Sequence, residues 1–170
     1  MDTYALLWAA TMNAGTVLAL ASLGLLINEK AGVVNLGAEG MMLCAAIAGY
    51  ATVANTGSDA LGFLAGMGAG AVLAAMFGVL VIWMNTNQYA TGLALSLFGG
   101  GFSAFVGVNY VQAKLPERMQ FAVPYLSDLP WVGPALFRHH PLVYGAIALT
   151  VGLIYFLYRT RAGLVLRAVG

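Results

Sequence analysis

From Leu6 to Ile27 the chain runs without a charged residue. Four further uncharged, mostly apolar stretches follow: Gly40–Ala54, Leu61–Met84, Gly92–Val111 and Leu142–Tyr158. A helix needs about 20 mostly apolar residues to cross a bilayer, and each stretch meets or approaches that length. The joints between them are polar, as in Asn55-Thr56-Gly57-Ser58-Asp59 and Asn85-Thr86-Asn87-Gln88. This alternation predicts an all-α, polytopic membrane protein with about five transmembrane or re-entrant helices. Composition agrees. Only 8% of the 170 residues are charged and 61% are hydrophobic, whereas a soluble domain carries about a quarter charged residues. Such a chain cannot cover itself with polar surface, so its natural solvent is lipid.

The net charge of +1 gives no electrostatic case for nucleic acid. Cys44 is the single cysteine, which excludes an internal disulfide and a cysteine-based metal site; a packed thiol is the plain reading. The first apolar run lacks a preceding positive charge and exceeds the roughly 7–15 residues of a cleavable signal core, so it is expected to be a retained span. The second run is short. It is either extended by Leu36–Glu39 or forms a tilted or partly re-entrant helix.

All five prolines, at 116, 124, 130, 134 and 141, fall within Gln112–Pro141. Proline blocks helix continuation, so this stretch is expected to be a long loop rather than a sixth span. Arg159, Arg161 and Arg167 follow the last apolar run, and Lys30 falls on the same side when five spans are counted. Lys114, Arg118 and Arg138 fall opposite. The tight arginine cluster favours a cytoplasmic C-terminal end, with the long loop outside.

The richest polar string is Asn28-Glu29-Lys30-Ala31-Gly32-Val33-Val34-Asn35-Leu36-Gly37-Ala38-Glu39-Gly40. Polar groups this close to hydrocarbon are costly unless they face water, protein or a transport path. Glu39 is readable as a helix-dipole partner or as part of a polar path or gate. Asn35 is readable as a helix cap or as a ligand for a solute hydroxyl. Asn85, Thr86 and Asn87 have a turn-and-cap reading as well, and Glu29–Lys30 reads as a solvated pair. Gly62, Gly66, Gly70, Ala74 and Gly78 form a small-residue seam that admits a close helix neighbour, static or sliding. Gly99-Gly100-Gly101 is either a hinge or a close crossing, and it lacks the Lys-Ser/Thr of a phosphate loop. His139-His140 alone makes a poor zinc site, which usually needs three or four protein ligands.

These strings, taken in order, resemble the membrane permeases of bacterial ATP-binding-cassette importers, in the branch for simple sugars and nucleosides. Asn28 to Leu43 is similar to that family's E-R-x-G-V-x-N-L-G-x-E-G-M-M segment. Asn85 to Gly92 is similar to N-T-N-E-V-I-x-G. Leu126 to Pro134, followed by Pro141 to Tyr144, resembles its external loop. Arg159 to Gly170 resembles R-T-x-x-G-L-x-L-R-A-V-G, which in the family precedes the cytoplasmic helix that docks on the ATPase. Lys30 stands where arginine is usual and Gln88 where glutamate is usual.

The resemblance implies a multi-pass protein of the bacterial inner (plasma) membrane. Residues 1–170 would form a single transmembrane permease domain, the N-terminal half of a longer permease. It implies partners: cytoplasmic ATP-binding subunits, a second permease chain and an external solute-binding lipoprotein. It implies a transport subunit rather than an enzyme, with no cofactor of its own. Asn35, Glu39 and Asn87 are the candidates for the solute path or gate; Arg161, Gly163 and Arg167 are those for ATPase docking. Rival readings are a permease for branched-chain amino acids or urea, a passive channel with a re-entrant polar loop, and an intramembrane enzyme using Glu39.

Overall fold

The computed structural model describes residues 3–111, 113, 121–122, 138–139 and 141–170. Most of the proline-rich stretch therefore lies outside the described residues, and so does the expected external loop. Six α-helices are present among those described. They are α1 (Thr3–Lys30), α2 (Ala38–Thr56), α3 (Asp59–Gly78), α4 (Gln88–Gly107), α5 (Pro141–Arg159) and α6 (Arg161–Val169). A π-helical turn, Val79–Trp83, prolongs α3, and a 3₁₀ turn, Val108–Tyr110, prolongs α4. Two short strands, β1 (Phe121–Ala122) and β2 (Arg138–His139), pair antiparallel. Four helices are long and apolar enough to cross a membrane: Leu7–Lys30, Asp59–Trp83, Gln88–Tyr110 and Pro141–Arg159. The chain is an all-α, multi-pass membrane protein.

Helix ends follow local chemistry. Asn28, Glu29 and Lys30 continue α1, and the helix stops only where Gly32 adopts φ 75°, a left-handed conformation that suits glycine. Gly57 closes α2 in the same way at φ 69°. Pro141 opens α5 at its first position, where a missing N–H costs nothing. Charges match the helix dipoles. Glu39 and Asp59 lie in the first turns of α2 and α3; Lys30, Arg159 and Arg167 lie in the last turns of α1, α5 and α6.

The chain divides into two compact units. One comprises Met1–Gly32 and Arg118–Gly170, the other Val33–Glu117.

In the Val33–Glu117 unit, α2 is the middle helix. It packs closely on both α3 and α4, which scarcely touch each other. Gly49 meets Gly62 and Gly66, and Ala45 meets Gly66 and Gly70, so α2 and α3 run antiparallel. Gly37 meets Gly92, Gly40 meets Gly99 and Ile47 meets Gly107, so α2 and α4 run parallel. Cys44, Leu73, Phe77 and Leu95 form the buried core of this unit. Cys44 is a packed thiol whose Sγ donates to the Gly99 carbonyl at 3.7 Å.

The glycines explain the closeness. The seam on α3 is a packing surface at Gly62, Gly66 and Gly70; it then turns away, and Gly78 has open space beside it. Gly99 is a close crossing: a Cβ there would overlap the Gly40 backbone. Small residues are how membrane helices bring backbones together. Sandwiching also explains α2, which is not among the described helices long and apolar enough to cross a membrane by themselves. Two of its polar side chains are satisfied within the helix: the Thr52 and Thr56 hydroxyls donate to the carbonyls of Ala48 and Thr52.

In the unit of Met1–Gly32 and Arg118–Gly170, α5 packs on α1 and α6 folds back on α5. The end of α1 meets the end of the chain, with Gly170 beside the Lys30 carbonyl and the Gly32 backbone. A shallow apolar groove of about 330 Å³ lies between α1 and α5. The hydroxyls of Thr11, Thr16 and Thr150 on its walls donate to carbonyls of their own helices, which leaves the groove without free donors from these residues.

Candidate functional site

Because α2 and α4 run parallel, their starts lie at one end of the Val33–Glu117 unit. Asn35 precedes α2, Glu39 is in its first turn, and Asn87 is the N-cap of α4. The structure thus brings Asn35, Glu39 and Asn87 to the same end, and it gives them different local chemistry.

Asn35 is buried, at 9% exposure. Its Oδ1 accepts from the Gly37 N–H at 2.9 Å, and its Nδ2 lies 3.6 Å from the Met41 sulfur. This amide closes the turn that launches α2. Asn87 Oδ1 accepts from the N–H groups of Tyr89 and Ala90 at 3.0 and 3.2 Å, satisfying two donors at the start of α4. Just before it, Asn85 adopts φ 50°, a conformation asparagine tolerates better than most residues. Thr86 closes the corner by donating from Oγ1 to the Leu80 carbonyl at 2.8 Å. Glu39 is exposed on the first turn of α2, as Asn87 is at the start of α4, and its carboxylate is open to what approaches that end.

One residue here was not a sequence candidate. Gln88 Oε1 accepts from the Val34 N–H at 3.0 Å, tying the segment before α2 to the start of α4. The only hint in sequence was its departure from the family's glutamate. Either side chain offers an acceptor oxygen at that place. Gln88→Leu removes the acceptor and is expected to destabilise the protein by about 1–2 kcal/mol, as an orphaned N–H does. Gln88→Glu should recover most of that in a thermal-unfolding measurement, and equal losses from both variants would deny the bond its role.

The second candidate set lies in the other unit. Thr160 is the N-cap of α6, with Oγ1 accepting from the Gly163 N–H at 3.1 Å. The same hydroxyl donates to the Phe156 carbonyl at 2.6 Å, joining the end of α5 to the start of α6. Gly163 is buried at this corner, and a Cβ there would lie 2.7 Å from the Leu157 Cα. Arg161 is exposed. The Arg167 guanidinium sits 4.9 Å from the Tyr158 ring centroid, a cation–π contact. Leu164, Val165 and Val169 are exposed on the same short helix.

Within the Val33–Glu117 unit, apolar helices thus carry the polar starts of α2 and α4 at one end. The chain belongs to the family described as branched-chain amino acid transport system / permease component, whose pattern matches residues 7–170. It is 44% identical over 165 residues to a protein of Haloferax volcanii provisionally assigned as the glucose ABC transporter permease TsgC13, covering 95% of this chain and 50% of that one. It is 30% identical over 176 residues to the guanosine ABC transporter permease NupQ of Bacillus subtilis, covering 95% and 54%. It is 29% identical over 182 residues to the nucleoside ABC transporter permease NupC of Lactococcus lactis, covering 100% and 57%. The chain spans about half the length of the curated relatives it matches. No solved structure matches it significantly.

Proposed function

We propose that this chain is the membrane-spanning part of an ATP-driven importer for simple sugars or nucleosides, set in the plasma membrane. One observation carries the reading: its similarity, along nearly all its length, to three relatives whose names are those of glucose, nucleoside and guanosine permeases. The broader family description, branched-chain amino acid transport, supplies the alternative solute class. The sequence holds no phosphate-binding loop. Hydrolysis would therefore belong to cytoplasmic ATP-binding subunits, with a second permease chain completing the path and an external solute-binding lipoprotein delivering the solute.

The polar end of the Val33–Glu117 unit is the proposed path or gate. Asn35 and Asn87 have their carbonyl oxygens on backbone N–H groups, so they hold the shape of that end. Glu39 is exposed and presents acceptors. A carboxylate beside the path serves hydroxyl-rich solutes, which offer donors. In the other unit, Arg161 is the exposed charge for the ATPase, Gly163 sets the corner that aims α6, and Arg167 is steadied by Tyr158.

The test is uptake by vesicles containing the complete transporter, loaded with hydrolysable or non-hydrolysable ATP. Uptake of labelled glucose or guanosine is expected only with hydrolysable ATP. Glu39→Gln should lower the rate by about fivefold, the difference between a hydrogen bond to a charged acceptor and one to a neutral acceptor, at unchanged protein level. Uptake indifferent to ATP would indicate a channel, and uptake of leucine alone would indicate the amino-acid branch.

A further inference from the structure

The end of the Val33–Glu117 unit opposite Asn35 and Gln88 holds a second polar cluster. The Tyr50 and Tyr110 rings meet edge to face, with centroids 6.4 Å apart at 86°. The Tyr50 hydroxyl is committed, donating to the Ala113 carbonyl at 2.9 Å. Asn55 donates from Nδ2 to the Ala51 carbonyl at 2.8 Å and to the Tyr110 hydroxyl at 3.0 Å. The Ala51 carbonyl fixes the amide's orientation, because turning it over would set two acceptors against each other.

This accounting leaves two groups open. Both Nδ2 hydrogens of Asn55 are used, while its Oδ1 has no partner among the described residues. The Tyr110 oxygen accepts from Asn55, and its own O–H has no acceptor among the described residues. Asn55 is exposed and Tyr110 half-buried. One free acceptor and one free donor thus stand side by side at the rim of an aromatic pair. A vicinal diol, each of whose hydroxyls both donates and accepts, matches that pattern. Water could fill it too, but the adjoining aromatic pair adds a surface for the apolar face of a ring.

We infer that Asn55 and Tyr110 form a recognition site for the vicinal hydroxyls of a sugar or ribose, with the Tyr50–Tyr110 pair as its aromatic wall. The inference rests on the proposed sugar or nucleoside importer and adds a contact at the end remote from Glu39. It places solute recognition at both ends of α2, before and after passage.

The experiment uses the complete transporter in vesicles, with its binding protein saturated. It compares glucose with a dideoxyglucose lacking two adjacent hydroxyls, and uridine with its counterpart lacking both ribose hydroxyls. Tyr110→Phe keeps the ring and deletes the donor; Asn55→Ala deletes the acceptor. Each is expected to cut the uptake rate of the hydroxylated solute about fivefold and to leave that of its deoxy counterpart unchanged. Equal loss on both solutes would make the cluster purely structural, and no loss on either would leave solvent as its partner; both results overturn the inference while leaving the importer standing. Absence of ATP-driven uptake of every sugar and nucleoside by the unaltered transporter would remove the importer reading and this site with it.

Discussion

Gly99→Ala is expected to lower the thermal midpoint of the purified protein by roughly 5–10 °C, an overpacking cost of about 3 kcal/mol. The added methyl would overlap the backbone of Gly40, and backbone cannot rotate away as a side chain can. The two helices must separate, which strips the Cys44–Gly99 contact and loosens the core formed with Leu73, Phe77 and Leu95. The control lies two residues away. Gly101 has nothing within 4 Å of where its Cβ would stand, so Gly101→Ala should leave the midpoint unchanged or raise it, since alanine is the better helix former. Equal behaviour of the two variants would mean that α2 and α4 do not cross at Gly40 and Gly99.

A comparable loss, of coupling rather than stability, is expected from Gly163→Ala. The new Cβ would press on the Phe156 carbonyl and stand 2.7 Å from the Leu157 Cα, so α6 must swing from α5. The N-cap bond from Gly163 to Thr160 would be strained at the same time. If α6 presents Arg161 to the ATPase, a displaced α6 should reduce ATP-driven uptake by tenfold or more, about 1.4 kcal/mol of coupling or greater, with insertion intact. Arg161→Glu tests the charge itself and should weaken recovery of the assembled complex. Full coupling in both variants would remove the docking role from this helix.

The spans were legible because each is an uncharged run bounded by polar residues or prolines, and hydropathy needs no knowledge of neighbours. Their ends were less so. Asn28, Glu29 and Lys30 look like a break after an apolar run, yet glutamate and lysine are good helix formers, and α1 stops only at Gly32. Pro141 looked like the end of a loop and is the first residue of α5. The alternatives for Gly99 separated only once its neighbour was known: which helix approaches a glycine is a tertiary fact, absent from local sequence. The same holds for Gln88 and Val34, whose bond spans two intervening helices. For Asn87 the cap that sequence allowed is present, whereas Asn35 closes a turn ahead of α2, whose N-cap is Gly37; Asn35 is the one of the three candidates that is buried, Glu39 and Asn87 being exposed.

The sandwiching of α2 has a consequence for how the protein is made. During synthesis α2 leaves the ribosome before either helix that covers it. It is not among the four helices apolar enough to span on their own, and its glycine-lined faces attract lipid weakly. Its residence in the bilayer therefore depends on α3 turning back beside it and on α4 arriving to close the other side. Insertion of this unit is a joint event, complete only when the third helix has emerged.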